Sequence, residues 1–212
     1  HVHDDTAADV LADTPCSRLA LMAVHEQDWQ QVLHIWLDSG NSQKIVACVG
    51  IHPWHLSTVS EGWIERLEAT LVANPALCVG EIGLDKLRAK REDRKHKGSS
   101  STWLQQQEVF GAQLQLAGKL QRPASVHCVQ AFGQLLAILG DKAGIEAQLG
   151  GRSDWGASTL LPPRIALHSF TGKVDMVRSL RALEAKTGMH IYFSFSVVIN
   201  MPFSNICSNQ LE

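Results

Sequence analysis

The sequence predicts an α/β protein, built either as a doubly wound sheet or as a TIM-type (β/α)8 barrel. Short apolar runs rich in β-branched residues recur along the 212 residues, and segments of helical period separate them. This alternation, at the observed spacing, is typical of βαβ units. The apolar runs are continuous rather than alternating with polar residues, which favours parallel strands covered on both faces.

Six apolar runs are predicted to be strands, and a short histidine-containing segment at the start of the chain adds a seventh. We interpret "HVH" at residues 1–3 as the remnant of a first strand. The other predicted strands, in chain order, cover residues 19–24, 44–51, 76–84, 122–128, 164–170 and 190–197. About seven parallel strands are therefore expected.

The segments between the strands have helical patterns. Residues 26–40 place Trp29, Val32, Leu33 and Trp36 on one face and end at a glycine. Further helices are predicted over residues 60–75, 101–121, 130–140 and 173–188.

Two segments interrupt the alternation, and both are interpreted as surface insertions within one domain covering residues 1–212. The first is basic and spans about 86–101, and the second, at 141–163, is rich in glycine and proline. A complete (β/α)8 barrel typically needs about 250 residues. We find no eighth βα unit, so we expect an incomplete barrel with unpaired strand edges that is poorly stable alone, or a fragment of a longer protein.

Composition narrows the class of protein. The chain is 45% hydrophobic and 19% charged, as in ordinary globular domains, and it has no apolar run of membrane-spanning length. Five cysteines without any CxxC pair argue against a disulfide framework or a structural zinc site. They favour a reducing compartment, so an intracellular protein, cytoplasmic or nuclear, is predicted. The sequence indicates no oligomeric state.

Net charge does not indicate a nucleic-acid-binding protein, but the distribution of charge is uneven. The formal charge is only -2, whereas residues 86–97 hold seven of the 19 lysines and arginines and two acids. This segment is either a solvated surface loop or a loop that binds phosphate groups.

Histidines lie at the ends of predicted strands. His127 and His168 each end one, and His1 and His3 are two residues apart, so that on an extended strand they face the same way. Glu81 lies near the end of an otherwise apolar strand, where an ionised carboxylate needs a compensating partner.

In a barrel, the C-terminal ends of the strands converge on the active-site mouth. Each of these residues alone is explained by core hydrogen bonding or solvent exposure, but the five together favour a site for Zn, Mn, Fe or Mg.

Several motifs resemble the TatD-type metal-dependent deoxyribonucleases, a branch of the amidohydrolase-like metallohydrolase barrels. The resemblance covers nearly the whole chain. It rests on "HVHDD" (1–5), "GIHPWH" (50–55), "GEIGLD" (80–85), the glutamine-rich helix and strand of 106–128, and "LHSFTG" (167–172). It favours the TIM-type barrel over the doubly wound sheet.

The resemblance implies a two-metal hydrolase of DNA phosphodiester bonds. His1 and His3 would hold one divalent ion, and His127 and His168 would hold the second. Glu81 would be shared between the ions and act in catalysis. The ions would be Zn, Mg or Mn, and they would clamp the phosphodiester and activate water.

Further residues are assigned to the substrate. By resemblance, His52 would lie near the substrate phosphate rather than on a metal. Lys86 and Arg88, directly after the strand of Glu81, are expected to contact phosphate groups. Trp54 either stacks on a base or packs at the barrel rim.

Two departures from the family pattern keep other functions open. The aspartate expected after strand eight has no counterpart, so no residue is assigned that role, and Val129 occupies the position of an expected arginine. Cys128, beside His127, is better explained by packing than as a nucleophile. The alternatives are a metallohydrolase of small esters or amides on the same site, and a non-catalytic scaffold.

Overall fold

A computed structural model describes residues 17–39, 44–95, 101–140 and 161–200. Its centre is a parallel sheet of six strands. They are β1 (Leu19–Met22), β2 (Ile45–Val49), β3 (Cys78–Asp85), β4 (Ala124–Val129), β5 (Arg164–His168) and β6 (His190–Phe193). All six overlap the apolar runs that were predicted to be strands. The additional strand predicted at residues 1–3 lies outside the described residues.

The order of the strands distinguishes a barrel from a doubly wound sheet. The strands lie side by side in chain order, from β1 to β6, and every neighbouring pair is parallel. In a doubly wound sheet, the spatial order of the strands reverses at a switch point in the middle of the sheet. The sequential order is that of a TIM-type barrel, and the described part of it is an open sheet with β1 and β6 at its edges.

Helices follow the strands, and five of the seven described helices were predicted from the sequence, with boundaries that differ by a few residues. A single 3-10 turn spans Leu56–Thr58. Among the described residues, no helix has the length and apolarity needed to cross a bilayer. The helices are α1 (Asp28–Asp38), α2 (Trp63–Ala73), α3 (Lys86–Lys95), α4 (Thr102–Lys119), α5 (Phe132–Gly140), α6 (Val174–Thr187) and α7 (Val197–Asn200).

The prediction of a basic loop after β3 is wrong, because residues 86–95 form helix α3. Lysine, arginine, leucine, alanine and glutamate all have high helix propensity. Asp85 caps the helix, since its Oδ1 accepts a hydrogen bond of 2.8 Å from the backbone N–H of Arg88. The segment lacks the apolar residues at helical spacing from which a helix is predicted, because only Ala89 is buried. Residues 141–160 of the other predicted insertion lie outside the described residues.

The hydrophobic core lies between the sheet and the helices. Alternate strand residues such as Ile45, Val126 and Ile165 pack in one cluster with Leu67 of α2 and Phe110 of α4. His127 and His168 are register partners on the opposite face of β4 and β5. The helices thus cover one face of the sheet, and His127 and His168 lie on the other.

Candidate metal centre

Glycines bring the backbones of β3 and β4 unusually close together. A Cβ atom at Gly83 would lie 2.0 Å from the carbonyl oxygen of His127, and the φ angle of this glycine is +146°. No other residue fits there. The register between the two strands also shifts between Val79 and Ile82. This close approach places Glu81 of β3 beside His127 of β4.

Three side chains on this face form a cluster of possible metal ligands. His52, Glu81 and His127 each offer one ligand atom, and these atoms all lie within 4.8 Å of one another. Glu81 Oε1 lies 3.2 Å from His127 Nδ1 and 3.6 Å from His52 Nε2. Glu81 is only 3% exposed and His52 6%. Two imidazole nitrogens with one carboxylate oxygen form a donor set suited to zinc or another divalent transition metal.

Asp85 extends this cluster. Its Oδ2 accepts a hydrogen bond of 2.7 Å from Trp54 Nε1 and lies 3.5 Å from His127 Nε2. His127 Nε2 is nevertheless buried without a hydrogen-bond partner in the described part of the chain. The imidazole ring of His127 lies between two carboxylates, with Nδ1 facing Glu81 and Nε2 facing Asp85. Together with the buried His52, this gives a set of nitrogen and oxygen donors. The residues present therefore fit a cation.

The protonation of the cluster reflects its mutual contacts. Burial opposes the charge on Glu81, but hydrogen bonds with His127 and His52 hold its pKa well below its ordinary value. Burial also opposes the charges on Asp85 and His127. Their mutual attraction still lowers the pKa of Asp85 to about 2, and the two carboxylates raise the pKa of His127 to about 9. Burial lowers the pKa of His52.

The cluster opens into a cavity of about 410 Å³. Besides the three clustered residues, Trp54, His55 and His168 contribute to its lining. This volume lies in the range of ligand-binding sites, roughly 300–1,000 Å³. The cavity is where a substrate would meet the clustered side chains.

The structure describes three of the five predicted metal ligands, and not all three belong to the cluster. Glu81 and His127 belong to the cluster, while His168 is exposed on the cavity wall, outside the cluster. His1 and His3 lie outside the described residues. His52, predicted to lie near the substrate phosphate, has its ring nitrogen among the clustered ligand atoms. Its assignment to the substrate stays a prediction.

Of the predicted substrate-binding residues on the rim side, Trp54 lines the cavity and Arg88 lies beside it. Trp54 is 50% exposed and lines the cavity. The guanidinium of Arg88, in the first turn of α3, is 5.7 Å from the centre of the Trp54 ring. Lys86 is exposed, and its Nζ lies 5.7 Å from the ring of Trp103.

Two glutamines of α4, which sequence reasoning did not assign to the site, hold the backbone on both sides of His52. Gln113 accepts a hydrogen bond of 2.7 Å from the N–H of Ile51 and donates one of 3.1 Å to its carbonyl. Gln106 accepts a hydrogen bond of 2.8 Å from the N–H of Asp85 and donates one of 3.4 Å to the carbonyl of Pro53. Both glutamines are fully buried. They fix the positions of the two segments that carry the cluster.

A sequence signal existed for each of these missed residues. Asp85 is four residues after Glu81, so on a regular strand both side chains face the same way. Gln106 and Gln113 are seven residues apart and therefore share one face of a helix. The sequence did not indicate which groups these three side chains would contact.

Comparisons with known proteins found related sequences. The model of the family described as "TatD related DNase" matches residues 2–207. The Cut9-interacting protein scn1 of Schizosaccharomyces pombe is 32% identical over 165 residues, covering 68% of this chain and 49% of that protein. The 3'-5' ssDNA/RNA exonuclease TatD of Edwardsiella piscicida is 30% identical over 143 residues, covering 68% and 45%. The chain thus spans about half the length of these two relatives.

A solved structure has the same fold. The crystal structure of YJJV, a TatD homologue from Escherichia coli, superposes with a TM-score of 0.63 at 21% identity. The match covers 89% of this chain and 60% of the other. The described sheet and helices are therefore those of a TatD-type barrel.

Proposed function

The chain belongs to the TatD related DNase family, and from this membership we propose that it acts in a metal-dependent nuclease that hydrolyses phosphodiester bonds in DNA. The observation that carries the proposal is the buried cluster of His52, Glu81 and His127 on the wall of the cavity. The exonuclease name of the relative from Edwardsiella piscicida also supports it. The intracellular setting, predicted from the cysteines, is part of the proposal.

We propose two divalent ions, Zn, Mg or Mn, with Glu81 as the shared and catalytic carboxylate. His127 and His168 would complete one site, and His1 and His3 the other. When bound, the ions would act as Lewis acids toward the phosphodiester and make the attacking water more acidic. The chain itself orients the ligands: Asp85 lies against the far nitrogen of His127, and the two buried glutamines of α4 hold the strand ends.

Substrate binding is proposed at the rim beside the cluster. Arg88 supplies a guanidinium that can bind phosphate oxygens in a bidentate manner, and Lys86 adds a second positive charge. Trp54 offers a half-exposed ring on which a base can stack, while its Nε1 is fixed by Asp85. A positive surface and a stacking platform next to a metal site are suited to a single strand of nucleic acid.

Metal binding tests the proposal directly. The purified chain should bind Zn²⁺ or Mn²⁺ in isothermal titration calorimetry and release mononucleotides from end-labelled single-stranded DNA, with EDTA abolishing the release. Glu81→Gln should weaken metal affinity by at least about tenfold, because a neutral amide replaces the central carboxylate. Glu65→Gln, at an exposed position of α2, is the matched control.

Failure would be clear in this experiment. If the wild-type chain binds none of Zn²⁺, Mg²⁺ and Mn²⁺, the proposed metal centre is wrong. It is also wrong if Glu81→Gln binds metal as tightly as Glu65→Gln does. Metal binding without cleavage of DNA would instead contradict the nuclease assignment.

A non-catalytic binding role is the second candidate, and the observation that favours it is the name of the fission-yeast relative, a Cut9-interacting protein. A metallohydrolase of small esters or amides is the third candidate function. It differs from the nuclease in its dependence on the positive charges of α3. Neutralising the cations of α3 should impair cleavage of DNA and hardly affect a neutral small substrate.

A further inference from the structure

Cys48 of β2 and Cys78 of β3 stand opposite each other in the sheet. They are register partners on neighbouring parallel strands, so their side chains leave the same face. Neighbouring strands lie about 4.8 Å apart. Disulfides in proteins join Cα atoms separated by roughly 4.4–6.8 Å. Both thiols are free, and the general spacing of register partners falls within the range of Cα separations that disulfides span.

We propose that Cys48 and Cys78 form a redox-modification site, which a hydroperoxide closes to a cross-strand disulfide. The site is separate from the proposed metal centre and does not depend on the proposed function. Neither cysteine serves the ligand cluster or the lining of the cavity described above.

The two thiols differ in a way that assigns their roles. Cys48 is only 2% exposed, whereas Cys78, at the start of β3, is partly exposed and therefore the one that a reagent reaches. A hydrogen bond with Cys48 and the nearby charge of Arg122 lower the pKa of the Cys78 thiol. The contact with Cys78, together with burial, raises the pKa of Cys48. Cys78 is thus the attacking thiolate and Cys48 the resolving thiol.

The chemistry balances with one molecule of hydroperoxide. The Cys78 thiolate attacks an oxygen of the peroxide, the O–O bond breaks, and a Cys78 sulfenic acid forms. The alkoxide or hydroxide that leaves takes up from solvent the proton that Cys78 released on ionising, and becomes an alcohol or water. The Cys48 sulfur then attacks the sulfenic sulfur, the S–O bond breaks, and the hydroxide leaves as water with the proton of Cys48. Two thiols are oxidised to one disulfide, and the peroxide is reduced.

The bond is expected to be reversible. Strand spacing holds the pair near the short end of the allowed Cα separations, and a disulfide with restricted geometry is more easily reduced. In a reducing compartment such a disulfide is transient, as redox-sensing disulfides are.

Peptide mapping of the full wild-type chain tests the proposal. Trypsin separates the two cysteines, placing Cys48 in residues 45–66 and Cys78 in residues 67–86. After brief treatment with equimolar hydrogen peroxide, denaturation and blocking with N-ethylmaleimide, these peptides should appear joined and lighter by two hydrogens. A dithiol reductant should restore both. Cys128 is the internal control, because its register partner on β3 is Leu84 rather than a cysteine, and it should remain a free thiol.

A variant distinguishes the roles of the two thiols. Cys48→Ser should accumulate a sulfenic acid at Cys78 that dimedone traps, since its resolving partner is gone. The proposal fails if the wild-type chain gives both peptides as separate maleimide adducts, or if Cys78 proceeds to sulfinic acid without the joined peptide. It also fails if Cys128 oxidises as readily as Cys78.

Discussion

Helices α3 and α4 are consecutive, are both rich in polar residues and pack against each other, yet they use those residues in opposite ways. Helix α3 buries only Ala89 and turns its lysines and arginines outward. Helix α4 buries ten residues, three of them glutamines. The difference shows that polarity alone does not mark a surface helix. Gln106 and Gln113 are buried where a backbone group across the contact needs a partner.

The two helices therefore make different contributions to the site. Helix α4 holds the backbone of the segments that carry His52 and Asp85, so its polar residues act on geometry. Helix α3 presents positive charge to solvent near the cavity rim, so its polar residues act on the electrostatic field. Substitutions in α4 should thus change stability, and substitutions in α3 should change binding.

The largest expected effect is that of Gln113→Leu in α4. It should lower the free energy of unfolding by about 3 kcal/mol, because the buried N–H and C=O of Ile51 each lose a partner worth about 1–3 kcal/mol. Urea denaturation measures this. Gln105→Leu, at an exposed position of the same helix, is the control, and equal destabilisation by both variants would refute the comparison.

Gln106→Leu should have a smaller effect, about 1–2 kcal/mol, since only its bond to the Asp85 N–H is short. Hydrogen exchange gives a local measure: the amide of Asp85 should exchange faster in this variant, while that of Ile51 stays protected. Exchange accelerated to the same degree at both amides would mean that the two glutamines act on the whole fold rather than on separate segments.

Loss of the helix cap in Asp85→Ala should contribute about 1 kcal/mol, the typical value, because α3 loses the acceptor for the N–H of Arg88. The lost contacts with Trp54 and His127 add to this cost. Asp85→Asn retains an oxygen that can cap and should therefore preserve the helix. Far-ultraviolet circular dichroism together with urea denaturation measures both changes. If the asparagine variant loses as much helix as the alanine variant, Asp85 does not act through capping.

The smallest effect on stability is expected for the double variant Arg91→Gln/Arg94→Gln in α3. Both side chains are exposed, so the free energy of unfolding should change by less than about 0.5 kcal/mol. Affinity for single-stranded DNA should fall, and the salt dependence of log K should become shallower by about 1–2. Arg178→Gln in α6 is the matched control, and an identical response to it would exclude α3 from the nucleic-acid surface.

The sequence predicted much of the fold because its signals are local. Apolar runs of six to nine residues identified β1 to β6, and amphipathic periods identified the helices other than α3 and α7. Helix α3 was missed because it buries one residue and so has no apolar period. The glutamines were missed because their partners are distant in the chain: 62 residues separate Gln113 from Ile51.

For the candidate site, the predicted positions of Glu81 and His127 at the ends of parallel strands were sufficient to predict that these two side chains lie close together. The sequence did not indicate that His52 would join them, since its position depends on how the loop after β2 is held by α4. Nor did it indicate that Asp85 would serve both the cap of α3 and the cluster. Both depend on contacts between elements rather than on a pattern within one.

The strictly consecutive strand order makes the sheet modular. Among the described strands, each ladder of backbone hydrogen bonds joins only strands that follow each other in the chain, so β6 and α6 can open without breaking a bond between any other two of them. Within this part of the sheet, amide protection should therefore decline stepwise from β4 toward β6. Glu81 and His127, two of the three clustered residues, lie on the strands that form the ladder between β3 and β4, which should open last.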